Sequence, residues 1–187
     1  MPGRARLRRD RGLFTMPIPP MSSLVPPDPP LQVVLVAPQI PPNTGNIART
    51  CAVTGSRLHL VGPLGFSLDA AHLRRAGLDY WEALDPRVYR DWSDFEARGL
   101  DGQSASGVPG GRLHLFTGRA ARSLRDVAFA PGDFLVFGHE QLGLPPALLA
   151  AWPERQVGIP MLPGQRSLNL AVAAGVAVYA ALAFLGA

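Results

Sequence analysis

The sequence predicts an α/β domain whose mostly parallel sheet is flanked by helices. From Leu31 onward, short apolar and β-branched runs alternate with helix-like stretches, as in chains that wind a parallel sheet. The chain has 187 residues, 47% apolar and 17% charged, enough apolar material for one packed core. A single cysteine, Cys51, makes no internal disulfide and anchors no zinc cluster by itself, so burial must hold the fold together, and a reducing compartment suits it.

Met1 to Pro30 carries Arg4, Arg6, Arg8, Arg9 and Arg11, then a proline-rich run, with no apolar periodicity, and reads as a disordered tail. No apolar stretch of secretory length follows those arginines. Met16 and Met21 could each begin the chain, and an over-extended start is favoured over an RNA-grasping arm. Strands are predicted at Leu31 to Ala37, Arg57 to Gly62, Arg112 to Thr117, Asp133 to Gly138 and Gln156 to Pro160. Helices are predicted at Thr44 to Thr54, Leu68 to Ala76, Trp92 to Arg98, Pro145 to Trp152 and Ser167 to Leu185. Asn43 suits a cap before the first helix, and Gly55 suits a left-handed stop after it. Gly99 to Gly111 has no pattern and reads as a flexible surface loop.

Leu170 to Ala187 holds no charge and reaches the length of a membrane span, but eight of its residues are alanine and two glycine. No basic flank fixes an orientation, so a helix buried in the core or in a subunit seam is the reading, with Ala174 and Ala181 as seam positions. The tail contributes +3 of the +4 net charge, which leaves the body nearly neutral. Affinity for any anionic partner would then rest on local placement of arginine rather than on bulk charge. No G-x-G-x-x-G follows the first strand and no phosphate-loop motif occurs. His59, His72, His114 and His139 lie apart, without metal-ligand spacing, so no metal is expected.

Three polar clusters fall where strands end, the place at which open α/β sheets bind ligands. In Pro41-Pro42-Asn43-Thr44-Gly45-Asn46-Ile47-Ala48-Arg49, a helix start offers amides to an anion, with Arg49 one turn beyond Asn46. Those residues equally suit simple capping and a surface arginine. Phe137-Gly138-His139-Glu140-Gln141-Leu142-Gly143-Leu144-Pro145 runs a strand into a glycine-punctuated turn, where Glu140 can accept from an amine or a ribose hydroxyl. Ile159-Pro160-Met161-Leu162-Pro163-Gly164-Gln165-Arg166-Ser167-Leu168-Asn169-Leu170 places polar groups before the last helix, where Ser167 is equally a cap.

Taken in order, N-T-G-N-I-x-R-x-C, F-G-x-E-x-x-G-L-P and I-P-M-x-P-x-x-R-S-L-N-L resemble the SPOUT superfamily of RNA methyltransferases. Within it the chain resembles the small single-domain enzymes that methylate the ribose 2′-hydroxyl of the tRNA wobble nucleotide, over about residues 31 to 185. The resemblance implies a C-terminal deep trefoil knot, S-adenosylmethionine as cofactor, tRNA as partner, a homodimer packed through the last helix, and a cytoplasmic location. It implies a reaction involving Arg49, Asn46, Ser167 and Asn169, and cofactor contacts at Phe116, Thr117, Gly138, Glu140, Ile159, Met161, Ser167 and Leu168. A guanidinium is a poor base at neutral pH, so Arg49 would orient the ribose and stabilise a developing alkoxide. A 2′-O-methyltransferase for another RNA site, or a knotted RNA binder without catalysis, are the alternatives. The chain departs from the pattern at His139, where proline is frequent, and at Gln141, Leu142, Ala171 and Val172.

Overall fold

The computed structural model describes residues 28–68, 81–100, 111–165 and 167–186. Six strands form one sheet: β1 (Leu31–Val36), β2 (Arg57–Val61), β3 (Arg87–Tyr89), β4 (Leu113–Phe116), β5 (Asp133–Phe137) and β6 (Gln156–Val157). Their order is β3-β2-β1-β5-β4-β6, and every neighbouring pair is parallel. A parallel sheet covered on both faces buries its strands completely, and for that reason LQVVLV and DFLVF read as unbroken apolar runs. β1 lies between β2 and β5, so the chain reverses direction across the sheet there and opens a crevice at the carboxyl ends of the strands.

One face is covered by α1 (Pro41–Thr54) and α5 (Leu170–Leu185). α1 turns Ile47, Ala48 and Cys51 to the core and stops at Gly55, whose φ of 67° is left-handed as expected. α5 turns Leu170, Ala174, Ala177, Val178, Ala181 and Leu182 inward at helical spacing, and its alanines let α1 and the sheet approach closely. Ala174 and Ala181 are therefore core positions of this chain and not a seam. The outward stripe is Val172, Val176, Tyr179 and Phe184, each 42–58% exposed.

The other face packs Tyr89, Phe95, Phe134 and Leu148 over the sheet, below the short helices α3 (Trp92–Phe95) and α4 (Pro146–Ala151). His59 is buried among those rings. Its Nε2 donates to Gln32 Oε1 at 2.8 Å and its Nδ1 accepts from the Tyr89 hydroxyl at 3.0 Å, so both nitrogens are satisfied in the neutral ring. Burial, then the charges of Arg87 and Arg57, push its pKa down to about 3. At the amino end of β5, away from the crevice, Asp133 accepts from Arg112 and His114 and ties down the base of the sheet.

Several boundaries differ from the sequence reading. α1 begins at Pro41, and Asn43 is a buried residue inside it rather than its cap. The last helix begins at Leu170 with Asn169, not Ser167, as the cap. The predicted strand at Gln156 to Pro160 stops at Val157, because the Gly158 amide and carbonyl turn away to Arg122 O and Leu124 N. The predicted helix at Trp92 to Arg98 ends at Phe95 and passes into a π turn, Glu96–Leu100, in which Gly99 is buried against the Phe95 ring; that glycine is no part of a flexible loop. β3 and the four-residue α2 (Trp81–Leu84) were not anticipated. Leu68 is not helical, and the rest of the helix predicted to Ala76 lies outside the described residues, as do positions 101–110 and the tail before Asp28. Among the described residues no helix is long and apolar enough to cross a membrane.

His59 makes stability pH-dependent with a definite sign. The folded ring stays neutral, while the unfolded ring takes up a proton below its ordinary 6.5, so stability present above that pH is lost as pH falls toward 3. Urea unfolding at about pH 7.5 and about pH 5 should show a loss of about 2 kcal/mol from this ring, and His59→Gln should remove most of that difference.

Candidate active site

Four connections meet at the carboxyl ends of β1, β5, β4 and β6. After β5 the chain makes a tight turn closed by His139 N to Gly143 O at 3.1 Å and Gly143 N to His139 O at 2.8 Å. A Cβ on Gly138 would stand 2.2 Å from Gly143 C and 2.3 Å from Leu144 N, so only glycine fits there. His139 Nδ1 accepts from the Gln141 amide at 3.0 Å, which leaves the proton of the neutral ring on Nε2. The turn aims Glu140 at the start of α1.

That start has no local cap. Ile40 offers no side-chain oxygen, and Pro41 and Pro42 carry no N–H. Glu140 supplies the acceptor from a hundred residues away: Oε2 accepts from the Gln39 amide at 2.9 Å, and Oε1 from the Ile40 amide at 3.0 Å and Asn43 Nδ2 at 3.2 Å. Partial burial pushes the Glu140 carboxyl upward, but these hydrogen bonds outweigh it and hold the group below the ordinary glutamate range. Asn43 Oδ1 then accepts from Asn169 Nδ2 at 3.0 Å, and Asn169 Oδ1 caps α5 through the Ala171 and Val172 amides. One hydrogen-bond chain thus joins the starts of α1 and α5 through the turn after β5.

Beside it lies a cavity of about 160 Å³ lined by Phe116, Thr117 and Gly118 after β4, Gly138, His139 and Glu140 after β5, Ile159 and Met161 after β6, and Ser167 and Leu168 before α5. The Phe116 and Phe137 rings stack at 4.7 Å in its wall. All eight residues expected to contact a cofactor are on this lining. Glu140 reaches it with both carboxylate oxygens already engaged by α1. Asn169 sits behind the cavity in the network, whereas Arg49 and Asn46 are exposed on α1 and lie off the lining. His139, Gly143, Phe137, Val157, Leu170 and Ala173 also line it and were not singled out as contacts. A strand end or helix start reads as core until the loops around it are in place. The Gln39 and Ile40 amides carry no side-chain signal at all.

The lining suits S-adenosylmethionine on its chemistry. A Cβ at Gly118 would meet only Met161 Cε, at 3.8 Å, so that wall stands open for a ligand. Ile159, Met161 and Leu168 present apolar surface fit for a flat base. Among the described lining residues only His139 and Glu140 ionise, so no arginine opposes a sulfonium charge. The cavity, at about 160 Å³, is smaller than the ~300–1,000 Å³ of whole-ligand pockets and would enclose only part of such a molecule. Among the described residues no group of three His, Cys, Asp or Glu could hold a metal ion.

The model of the SpoU rRNA Methylase family matches residues 30–179. A protein of Burkholderia ambifaria named tRNA (cytidine(34)-2′-O)-methyltransferase is 51% identical over 150 residues, which is 80% of this chain and 92% of that protein. A solved structure concerned with 2-OH methylation of C/U34 on tRNA superposes with a TM-score of 0.71 at 44% identity, covering 83% of this chain and 96% of that one. An AdoMet-bound rRNA methyltransferase of Sinorhizobium meliloti gives a TM-score of 0.64 at 25% identity, over 88% of this chain and 61% of its own.

Removing the shared carboxylate should loosen both helix starts. Glu140→Ala should lower the unfolding free energy by about 2 kcal/mol, because two backbone amides and Asn43 lose their acceptor, while Glu140→Gln, which keeps one acceptor oxygen, should recover part of the loss. Denaturant midpoints at unchanged slope measure this, and an unshifted Glu140→Ala midpoint would contradict the role.

Proposed function

This chain belongs to the SpoU rRNA methylase family, and from that we infer that it transfers a methyl group from S-adenosylmethionine to the ribose 2′-hydroxyl of tRNA nucleotide 34. The observation that carries the reading is the 51% identity to a named tRNA (cytidine(34)-2′-O)-methyltransferase over 92% of that protein. The alternative RNA sites are disfavoured by the same observation. Mass spectrometry of tRNA from a strain lacking the protein tests it: nucleotide 34 should lose its ribose methyl, and an unchanged nucleotide 34 with loss elsewhere would replace it with another site.

When bound, S-adenosylmethionine supplies a methyl on a positively charged sulfur. The residues of this chain have to hold that group, admit the ribose and assist loss of the hydroxyl proton. Ile159, Met161 and Leu168 would enclose the base, Phe116, Thr117 and Gly138 would close the wall beside it, and Ser167 lines the cavity from the segment before α5. Glu140 and Asn169 are positioning residues: their hydrogen bonds hold the starts of α1 and α5 against the turn that walls the cavity. Arg49 orients the ribose and stabilises the developing alkoxide.

Arg49 lies off its own chain's lining, and its role therefore calls for a second copy. The outward stripe of α5, with Val172, Val176, Tyr179 and Phe184, is an apolar strip of the kind that symmetric dimers bury. A homodimer through it brings Arg49 of one copy to the cavity mouth of the other, and the segment from β5 to α5 forms a trefoil knot around the cofactor. Such an enzyme works where tRNA is, in the cytoplasm.

Arg49→Ala should lower turnover by at least a hundredfold, on the order of what loss of one stabilising donor costs, and leave cofactor affinity by calorimetry nearly unchanged. Retained activity would remove Arg49 from the reaction. Tyr179→Arg, on an exposed face, should give folded monomers by sedimentation with strongly reduced methylation. A fully active monomeric wild type would overturn the composite site.

A further inference from the structure

A second cleft, of about 410 Å³, shares Gly118, Ile159 and Met161 with the cofactor cavity and opens beside it. One wall is the loop after β4, Gly118 to Ser123; the other is the segment Gly158 to Gln165. The walls are pinned together by backbone: Gly158 N donates to Arg122 O at 2.8 Å, Leu124 N to Gly158 O at 2.8 Å, and Ser123 bridges Gly158 in parallel. The loop is therefore held in place before any ligand arrives.

Its chemistry is two-sided. Pro160, Met161 and Leu162 make an apolar wall, and Leu162 stands 77% exposed, a conspicuous position for a large aliphatic side chain. On the other wall Arg122, whose Nη2 donates to Asp126 O at 3.2 Å, is the one charged residue among the described lining residues, and Arg119 and Arg125 lie exposed three positions to either side of it. The size falls within the ~300–1,000 Å³ range of small-ligand pockets. A base lies flat on an apolar wall while its phosphate pairs with a guanidinium, so an apolar wall facing an arginine matches one nucleotide of a single strand.

Resting on the methyltransferase reading above, we propose that this cleft seats the nucleotide next to the methylated one, with its base on Met161 and Leu162 and its phosphate on Arg122. Arg119 and Arg125 draw the strand toward it. In a body that is otherwise nearly neutral, the stretch from Arg119 to Asp126 is a local concentration of positive charge, three arginines against the single Asp126. It also explains why a cavity of about 160 Å³ has a larger cleft at its side: the substrate strand needs a footing beside the reacting ribose.

The test uses the full chain, an unmodified tRNA transcript and a short single-stranded RNA, with dissociation constants measured across a salt series. Arg122→Ser should flatten the salt dependence by close to one phosphate contact, a slope change of about 0.7–0.9, and Arg122→Lys should restore it. Ala121→Trp, a substitution at an exposed lining position, should fill the cleft and weaken RNA binding about tenfold while cofactor affinity by calorimetry stays within about twofold. Unchanged RNA affinity and slope in both variants would overturn the proposal. So would a loss of cofactor affinity in Ala121→Trp with RNA binding intact, since the cleft would then belong to the cofactor. Failure of the functional reading is separate: a wild type that leaves nucleotide 34 unmethylated yet binds single-stranded RNA with an Arg122-dependent slope would lose the proposed reaction and keep the cleft.

Discussion

The arrangement of this site depends on one carboxylate. Glu140, at the turn after β5, closes the start of α1 by accepting from the Gln39 and Ile40 amides and from Asn43. A helix beginning Ile40-Pro41-Pro42 has no side-chain oxygen of its own to offer those donors, and leaving the partly buried ones unpaired is costly. The acceptor therefore has to come from elsewhere, and its source determines what stands next to what. Because Asn43 goes on to bond Asn169, which caps α5, the helices on this face are referenced to the same turn that walls the cavity. Displacing any member moves the cavity wall against α1.

This explains which parts of the molecule could be read from the sequence. The strands of a doubly covered parallel sheet leave unbroken apolar runs, and four of the five predicted strands coincide with β1, β2, β4 and β5 to within a residue at each end. β6 is shorter because Gly158 pairs with the loop after β4, a contact between segments more than thirty residues apart that no local pattern signals. β3 has only three residues, of which two are exposed, too little periodicity to register. Both site helices start three residues away from their predicted positions, α1 earlier and α5 later, because local preference named Asn43 and Ser167 as their caps. In α1 the preferred residue, Asn43, is spent on Glu140 and Asn169; in α5 the cap falls to Asn169, already engaged in that pairing.

The candidate site divides in the same way. Residues expected at the cofactor came from three loops spread over fifty residues, and the fold gathers them on one lining, since they all follow strands that end at the same edge. Arg49 and Asn46 stay outside, on the exposed face of α1. No spacing within a single chain can place them across a cavity, because the proposed partner of that surface is a second copy. His139 shows the opposite limit. Its ring nitrogen is used to hold the turn, so a residue that departs from the family pattern still performs a local task that the pattern alone would not suggest.

The last helix presents two different faces, and its composition follows from keeping them apart. Half of the inner stripe is alanine, which brings α5 close to α1 and to the sheet and keeps Asn169 within reach of Asn43. Larger side chains there would push the helix outward and break that hydrogen bond, opening the cavity from behind. The outer stripe is freed from that constraint and carries the bulky groups Val172, Val176, Tyr179 and Phe184. A helix uncharged along its whole length therefore reads from sequence as a single apolar object, although its small residues govern the site geometry of one chain and its large ones offer a surface for association. Because the two sets interleave at helical spacing, an exchange of size between neighbouring positions, such as Ala177 with Val176, would disturb the inner packing and the proposed association surface together while leaving the composition unchanged.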